Sequence, residues 1–161
     1  MPLPEDALIL RYQGGGNYVD CYRTQVPGSV SLARLITSFY TSPLFKLERS
    51  ALYVLSLGAS DADVHALANG DIDRFSAWTV EAREPDQLLL SDVRARTRSW
   101  LKVDALDNSA TALFFGSAVL AQVDREDIGI IASSLLGFHV MYSHALLNAA
   151  RQRLLSGVSQ P

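Results

Sequence analysis

The feature that most constrains this chain is its last long apolar pattern, residues 124–156, DREDIGIIASSLLGFHVMYSHALLNAARQRLLS. Asp124 is placed to cap the first free amides of a helix, Glu126 and Asp127 put negative charge in its first turn, and Arg151 and Arg153 put positive charge in its last. Gly157 follows as a stop. Ile131, Leu135, Phe138, Tyr142, Ala145 and Ala149 recur at steps of three and four, which predicts one apolar face. A helix with such a face has to lie on another layer.

The rest of the chain supplies that layer. From Asp73 the apolar period falls from near 3.6 to 2, and RFSAWTVEAR, DQLLLSDV, ARTRSWLKVDAL and ATALFFGSAVLAQV read as four strands. Glu84-Pro85-Asp86, a tight join at Arg94-Ala95, and Asp107-Asn108-Ser109 separate them; such connectors are too short for parallel crossovers, so the strands form an antiparallel meander. Upstream, NYVDCYRTQV predicts a strand over 17–26, and Leu32, Leu35, Ile36 and Phe39 predict a helix face. Ser42-Pro43 opens a second helix that ends at Gly58, and Ser60, Asp61 and Asp63 open a short third one ending at Asn69-Gly70. Residues 1–16 form an N-terminal arm with a short strand at 8–12, residues 17–156 one domain, and residues 157–161 a tail. Gly14, Gly15 and Gly16 precede a strand rather than a helix, so they read as a turn and not a phosphate loop.

At 161 residues one domain can bury roughly 70% of the surface its unfolded chain exposes. A formal charge of −3 argues against a general nucleic-acid surface. A lone cysteine, Cys21, makes no internal disulfide, the N-terminus lacks the basic start of a signal peptide, and no apolar run reaches a membrane span. These features predict a cytoplasmic protein.

The element order over residues 17–156, with FYTSPLFKLER (39–49), FSAWTVEAR (75–83) and RTRSWLKV (96–103), resembles the START-like, polyketide-cyclase (SRPBCC) superfamily and small bacterial proteins placed near it. The resemblance implies an α+β helix-grip fold: a curved antiparallel sheet of five or six strands packed on a long C-terminal helix, with two or three helices after the first strand. Fuller members have six or seven strands. It further implies a pocket between sheet and helix for a lipid, polyketide, hormone or other apolar molecule. No shared catalytic motif, metal or cofactor comes with it.

Candidate chemistry therefore has to be read from the residues present. Trp78 and Trp100 lie mid-strand as core or pocket wall. Arg94, Arg96, Arg98, Trp100 and Lys102 share one strand face, opposite Thr97, Ser99, Leu101 and Val103. The plainer arrangement is a solvated face with arginine stems over Trp100; the alternative turns Arg98 and Trp100 inward to grip an anionic group, with Asp92 or Glu81 as partner. His139 lies near the apolar stripe and is a candidate acid or base, whereas His144, turned away by about 140°, faces solvent. Asp61, Asp63 and His65 are too few for a metal, and the two aspartates are explained as helix-start acids. Gly116 predicts a bulge or bend in the last strand, and Gly137 a close helix approach.

Three functions follow as expectations. The first is a non-enzymatic or weakly enzymatic domain that holds a small apolar or amphipathic molecule, lined by Trp78, Phe115, Phe138, Tyr142 and His139, with Trp100 as a further contact and Arg98 or Asp92 orienting its polar end. The second is an enzyme of cyclase, dehydratase or isomerase type, with His139 and Asp92 or Glu81 as acid and base. The third is an interaction module in which an open sheet edge, or the apolar strand 111–119, pairs with a second copy as a homodimer.

Overall fold

A computed structural model of the protein describes residues 1–42, 60–92, 94–106, 109–121 and 131–157, and in the last of these the side chains of 143–156. The expected second helix, 43–58, and the start of the long helix, 124–130, lie outside the described residues. The fold is α+β. Strands β1 (Tyr18–Pro27), β2 (Arg74–Phe75), β3 (Trp78–Arg83), β4 (Gln87–Asp92), β5 (Thr97–Leu106) and β6 (Ala110–Val119) form one antiparallel sheet in the order β1-β6-β5-β4-β3-β2. Helices α1 (Leu32–Tyr40), α2 (Asp61–Asn69) and α3 (Ile131–Gly157) accompany it.

The topology follows from connector length. Strands β2 to β6 pair with their neighbours in sequence, whereas β1 pairs with β6, so β1 and β2 occupy opposite edges. The chain between them must cross a face of the sheet, and α1 and α2 belong to that crossing. α1 opens on Ser31, whose side chain accepts from the Arg34 amide, and α2 on a capping box in which Ser60 and Asp63 bond reciprocally. RFSAWTVEAR is two strands rather than one, because Ser76, at φ 53°, turns the chain between Phe75 and Trp78.

On this face Leu35, Ile36, Phe39 and Tyr40 of α1 pack with Val64 and Leu67 of α2, Leu146, Leu147, Ala150 and Leu154 of α3, and Leu88, Leu101, Leu113 and Phe115 of the sheet. The buried stripe of α3 passes through these leucines, not through Ala145, which is exposed, or Ala149, which is half-buried. Both sets satisfy helical spacing, and the leucines win because they carry more apolar area.

The opposite face is also covered. The arm holds a 3-10 helix (Leu8–Tyr12) where a strand was expected, and Ala7 and Ile9 are buried against Cys21, Leu89, Trp100, Ala112 and Phe114. Gly14, Gly15 and Gly16 all have positive φ, which lets the chain turn from this helix into β1. Gly116 does not mark a bulge: its pairings with Cys21 and Trp100 are in unbroken register. A Cβ there would lie 2.9 Å from both the Asp20 carbonyl oxygen and Trp100 Cε3, so the missing side chain makes room for the indole. The strand 111–119 lies within β6, whose two edges are taken by β1 and β5, so it is closed to a second copy. Among the described residues no helix is long and apolar enough to cross a membrane.

Candidate functional site

Strand β1 alternates two characters. Val19 and Cys21 join the arm-side core, while Tyr18, Asp20 and Tyr22 face the helices. Asp20 stands opposite Ser117 of β6, which stands opposite Ser99 of β5, so a polar row crosses three adjacent strands. Asp20 Oδ1 accepts the Ser117 amide at 2.9 Å and the Ser117 hydroxyl at 2.7 Å. Its Oδ2 accepts the Tyr22 hydroxyl at 3.1 Å and the Tyr18 hydroxyl at 3.4 Å.

Burial first, and the Asp20 carboxylate second, raise the pKa of both Tyr18 and Tyr22. The phenols therefore stay protonated and donate to Asp20, and each oxygen keeps lone pairs for a further donor. Tyr22 also meets His144 of α3 edge to face, with ring centroids 4.5 Å apart, although His144 is exposed as expected. Phe115, two residues before Ser117 on the same face, stacks 4.9 Å from Phe39. Trp78, paired with Asp92, packs at the margin of this core.

The expected ligand set is thus divided between two faces. Trp78 and Phe115 face the helices; Arg98 and Trp100 face the arm. Trp100 is completely buried under Ile9 and donates its indole N–H to Gln87, so the solvated face read from the arginines is instead a second core. Arg98 does not reach the helix side for an anionic ligand: it is held by Glu81 at 2.5 Å and Tyr12 at 2.9 Å, with its guanidinium 4.7 Å over the Tyr12 ring.

Glu81 arrives there through an irregularity in register between Val80 and Ala82. The extra residue re-aims the carboxylate toward the arm. It therefore cannot serve as acid or base beside α3, from which the sheet separates it. Asp92 caps the β4–β5 turn, accepting the Arg96 amide at 2.7 Å and the Thr97 amide at 3.3 Å. Phe138, His139 and Tyr142, with Gly137, belong to the part of α3 whose side chains lie outside the described residues. Asp63 is engaged in the α2 cap, and among the described residues no group of three or more His, Cys, Asp or Glu is arranged for a metal.

Sequence reasoning missed Tyr18, Asp20, Tyr22 and Ser117. The signal was present in YVDCY, where an acid between two tyrosines at period 2 sits on the face that Val26 shows to be inward. Neither protein-family models nor curated proteins match this sequence.

Proposed function

We propose that this chain binds a small apolar or amphipathic molecule between the helix-facing side of its sheet and α3, in the manner of helix-grip proteins. One observation carries the reading: a carboxylate, two phenols and a serine hydroxyl are gathered on an inward sheet face that is elsewhere lined mainly by Leu, Val and Phe. Desolvating such groups costs free energy that plain packing would avoid. A few convergent polar groups in an apolar surround are what fix a ligand's orientation. The order of strands and helices supports the same reading, since β1 closes the sheet beside β6 and α3 lies against both.

The cluster also narrows the ligand. Tyr18 and Tyr22 give their protons to Asp20, so the site offers acceptors. A ligand with a hydroxyl or N–H at one end and an apolar body fits it better than one ending in a carboxylate.

A native mass spectrum of the protein as purified tests this directly and reports subunit number as well. The expected result is a species heavier than the 17.6 kDa chain by a small molecule that leaves on denaturation. A bare chain that also fails to bind an uncharged apolar probe such as Nile red would sink the proposal.

A further inference from the structure

Away from the sheet, helices α1, α2 and α3 flank an open cleft of about 360 Å³ to which α1 contributes Arg34, Thr37 and Ser38, α2 contributes His65 and Asn69, and α3 contributes Arg153. Among the described residues, no strand residue and no Asp or Glu lines it. We propose that this cleft is a second binding site, for a small molecule carrying a phosphate.

Three observations carry this. Each helix sends one basic residue to the same hollow, in a chain whose formal charge is −3. Among the described residues, neither guanidinium nor the imidazole has a carboxylate partner; the ion pairs of Arg11, Arg98 and Lys102 all lie on the arm side of the sheet. Lastly, Arg34 is the third residue of α1, where the helix dipole opposes a cation and where a capping box would place Glu or Gln. Helix stability accounts for an arginine near the end of α3 but not for one at the start of α1. A phosphate reconciles them: planar guanidinium forks bind its oxygens in pairs, and the Thr37 and Ser38 hydroxyls and the Asn69 amide supply further donors.

The test is a ¹⁵N NMR titration of the full chain with inorganic pyrophosphate at constant ionic strength. Saturable shifts are expected at the side-chain N–H groups of Arg34 and Arg153 and at the amides of Thr37, Ser38 and Asn69. Arg34→Gln and Arg153→Gln should each weaken binding about ten-fold, in keeping with loss of a charged hydrogen bond. Arg23→Gln, an exposed arginine on β1 outside the cleft, should leave it unchanged. Both cleft arginines are exposed, so the variants are expected to keep the fold, which their undisturbed remaining spectra would verify. Shifts that never saturate, or an Arg23→Gln variant weakened as much as Arg34→Gln, would overturn the proposal in favour of general charge screening.

Discussion

The indole N–H of Trp100 and the backbone amide of Leu8 both donate to Oε1 of Gln87, each at 2.9 Å. The amide group of Gln87 donates in turn to the Asp6 carbonyl at 3.0 Å and the Glu84 carboxylate at 2.8 Å. One fully buried side chain at the start of β4 thus ties the arm to the sheet and holds the largest core residue in place. Gln87→Leu keeps the bulk and strands two donors. Leaving buried groups unpaired costs about 1–3 kcal/mol each, so urea unfolding should show a loss of about 2–6 kcal/mol. A variant within 0.5 kcal/mol of wild type, roughly the scatter of a surface substitution, would remove Gln87 from this role.

Trp100 also sets the requirement for Gly116. A methyl group there would be driven against a backbone oxygen and the indole, both 2.9 Å away, and the backbone contact cannot rotate aside. Gly116→Ala is expected to destabilise by about 1–3 kcal/mol, as overpacked cores do. Combining it with Trp100→Leu should give less than the sum of the two single losses, since one of the two clashes disappears. Strict additivity in denaturant unfolding would mean that the indole is not what the glycine accommodates.

The arm is clamped electrostatically at Lys102, whose ammonium is almost entirely buried and meets Asp6 at 2.8 Å, Asp104 at 3.0 Å, and Asp86. Burial lowers the lysine pKa, but the hydrogen bonds it donates to Asp6, Asp86 and Asp104 outweigh that and the net shift is upward. The hydrogen bond to Lys102 holds the Asp6 carboxyl below its ordinary 3.8. A depressed carboxyl contributes stability that is present above 3.8 and disappears as pH falls through the native value; a raised lysine contributes below 10.5 and loses it as pH climbs. Pepsin should therefore cut within residues 1–12 at a higher pH than it cuts the sheet. Lys102→Met should flatten this dependence with little loss of stability near neutral pH, because all three carboxylates are partly exposed and can rehydrate. Arm and sheet cleaved together, at one pH, would contradict the clamp.

Cys21 reports on the same cover. It is buried between the arm and β6, and burial pushes its thiol up to about 11. At pH 8 the folded protein should react with a disulfide reagent far more slowly than the unfolded chain. Deleting residues 1–12 should raise the native rate at least about ten-fold by exposing the thiol. An unchanged rate would place the thiol's protection elsewhere.

Much of the architecture was legible because its signals are local. The helix start at Ser60, the breaks at Glu84-Pro85-Asp86 and Asp107-Asn108-Ser109, and the change of period near Asp73 each specify a boundary without reference to the rest of the chain. What failed depended on distant partners. β5 is buried on both faces, so its alternation of arginine and leucine looked like one wet face and one dry one until the arm was in place. The arm itself lacks a period, since a 3-10 turn buries only Ile9 from its five residues. Glu81 changed faces through a single unpaired residue, which no propensity announces. At Asp20 the two tyrosines were legible at period 2 in YVDCY, but the serine that completes the cluster becomes a neighbour only in the folded register.

That register gives the last prediction. Tyr22→Phe removes the hydroxyl that donates to Asp20 at 3.1 Å and leaves the ring against His144. The carboxylate retains the Ser117 amide and hydroxyl, so stability should fall by no more than about 1 kcal/mol, the net worth of an ordinary hydrogen bond. Ligand affinity should fall further, about ten-fold, if the phenol oxygen accepts from the bound molecule. Asp20→Ala should behave in the opposite proportion, because it strips partners from Ser117 and both phenols and so damages the fold before the ligand is considered. In the wild type, absorbance near 295 nm should show Tyr18 and Tyr22 ionising above pH 10, the direction in which burial and Asp20 move them. A raised pKa contributes stability below 10 that fades as pH rises further, so alkaline unfolding should come later in Tyr22→Phe than its neutral stability implies. Equal losses of stability and ligand affinity in Tyr22→Phe would make the cluster a structural device alone.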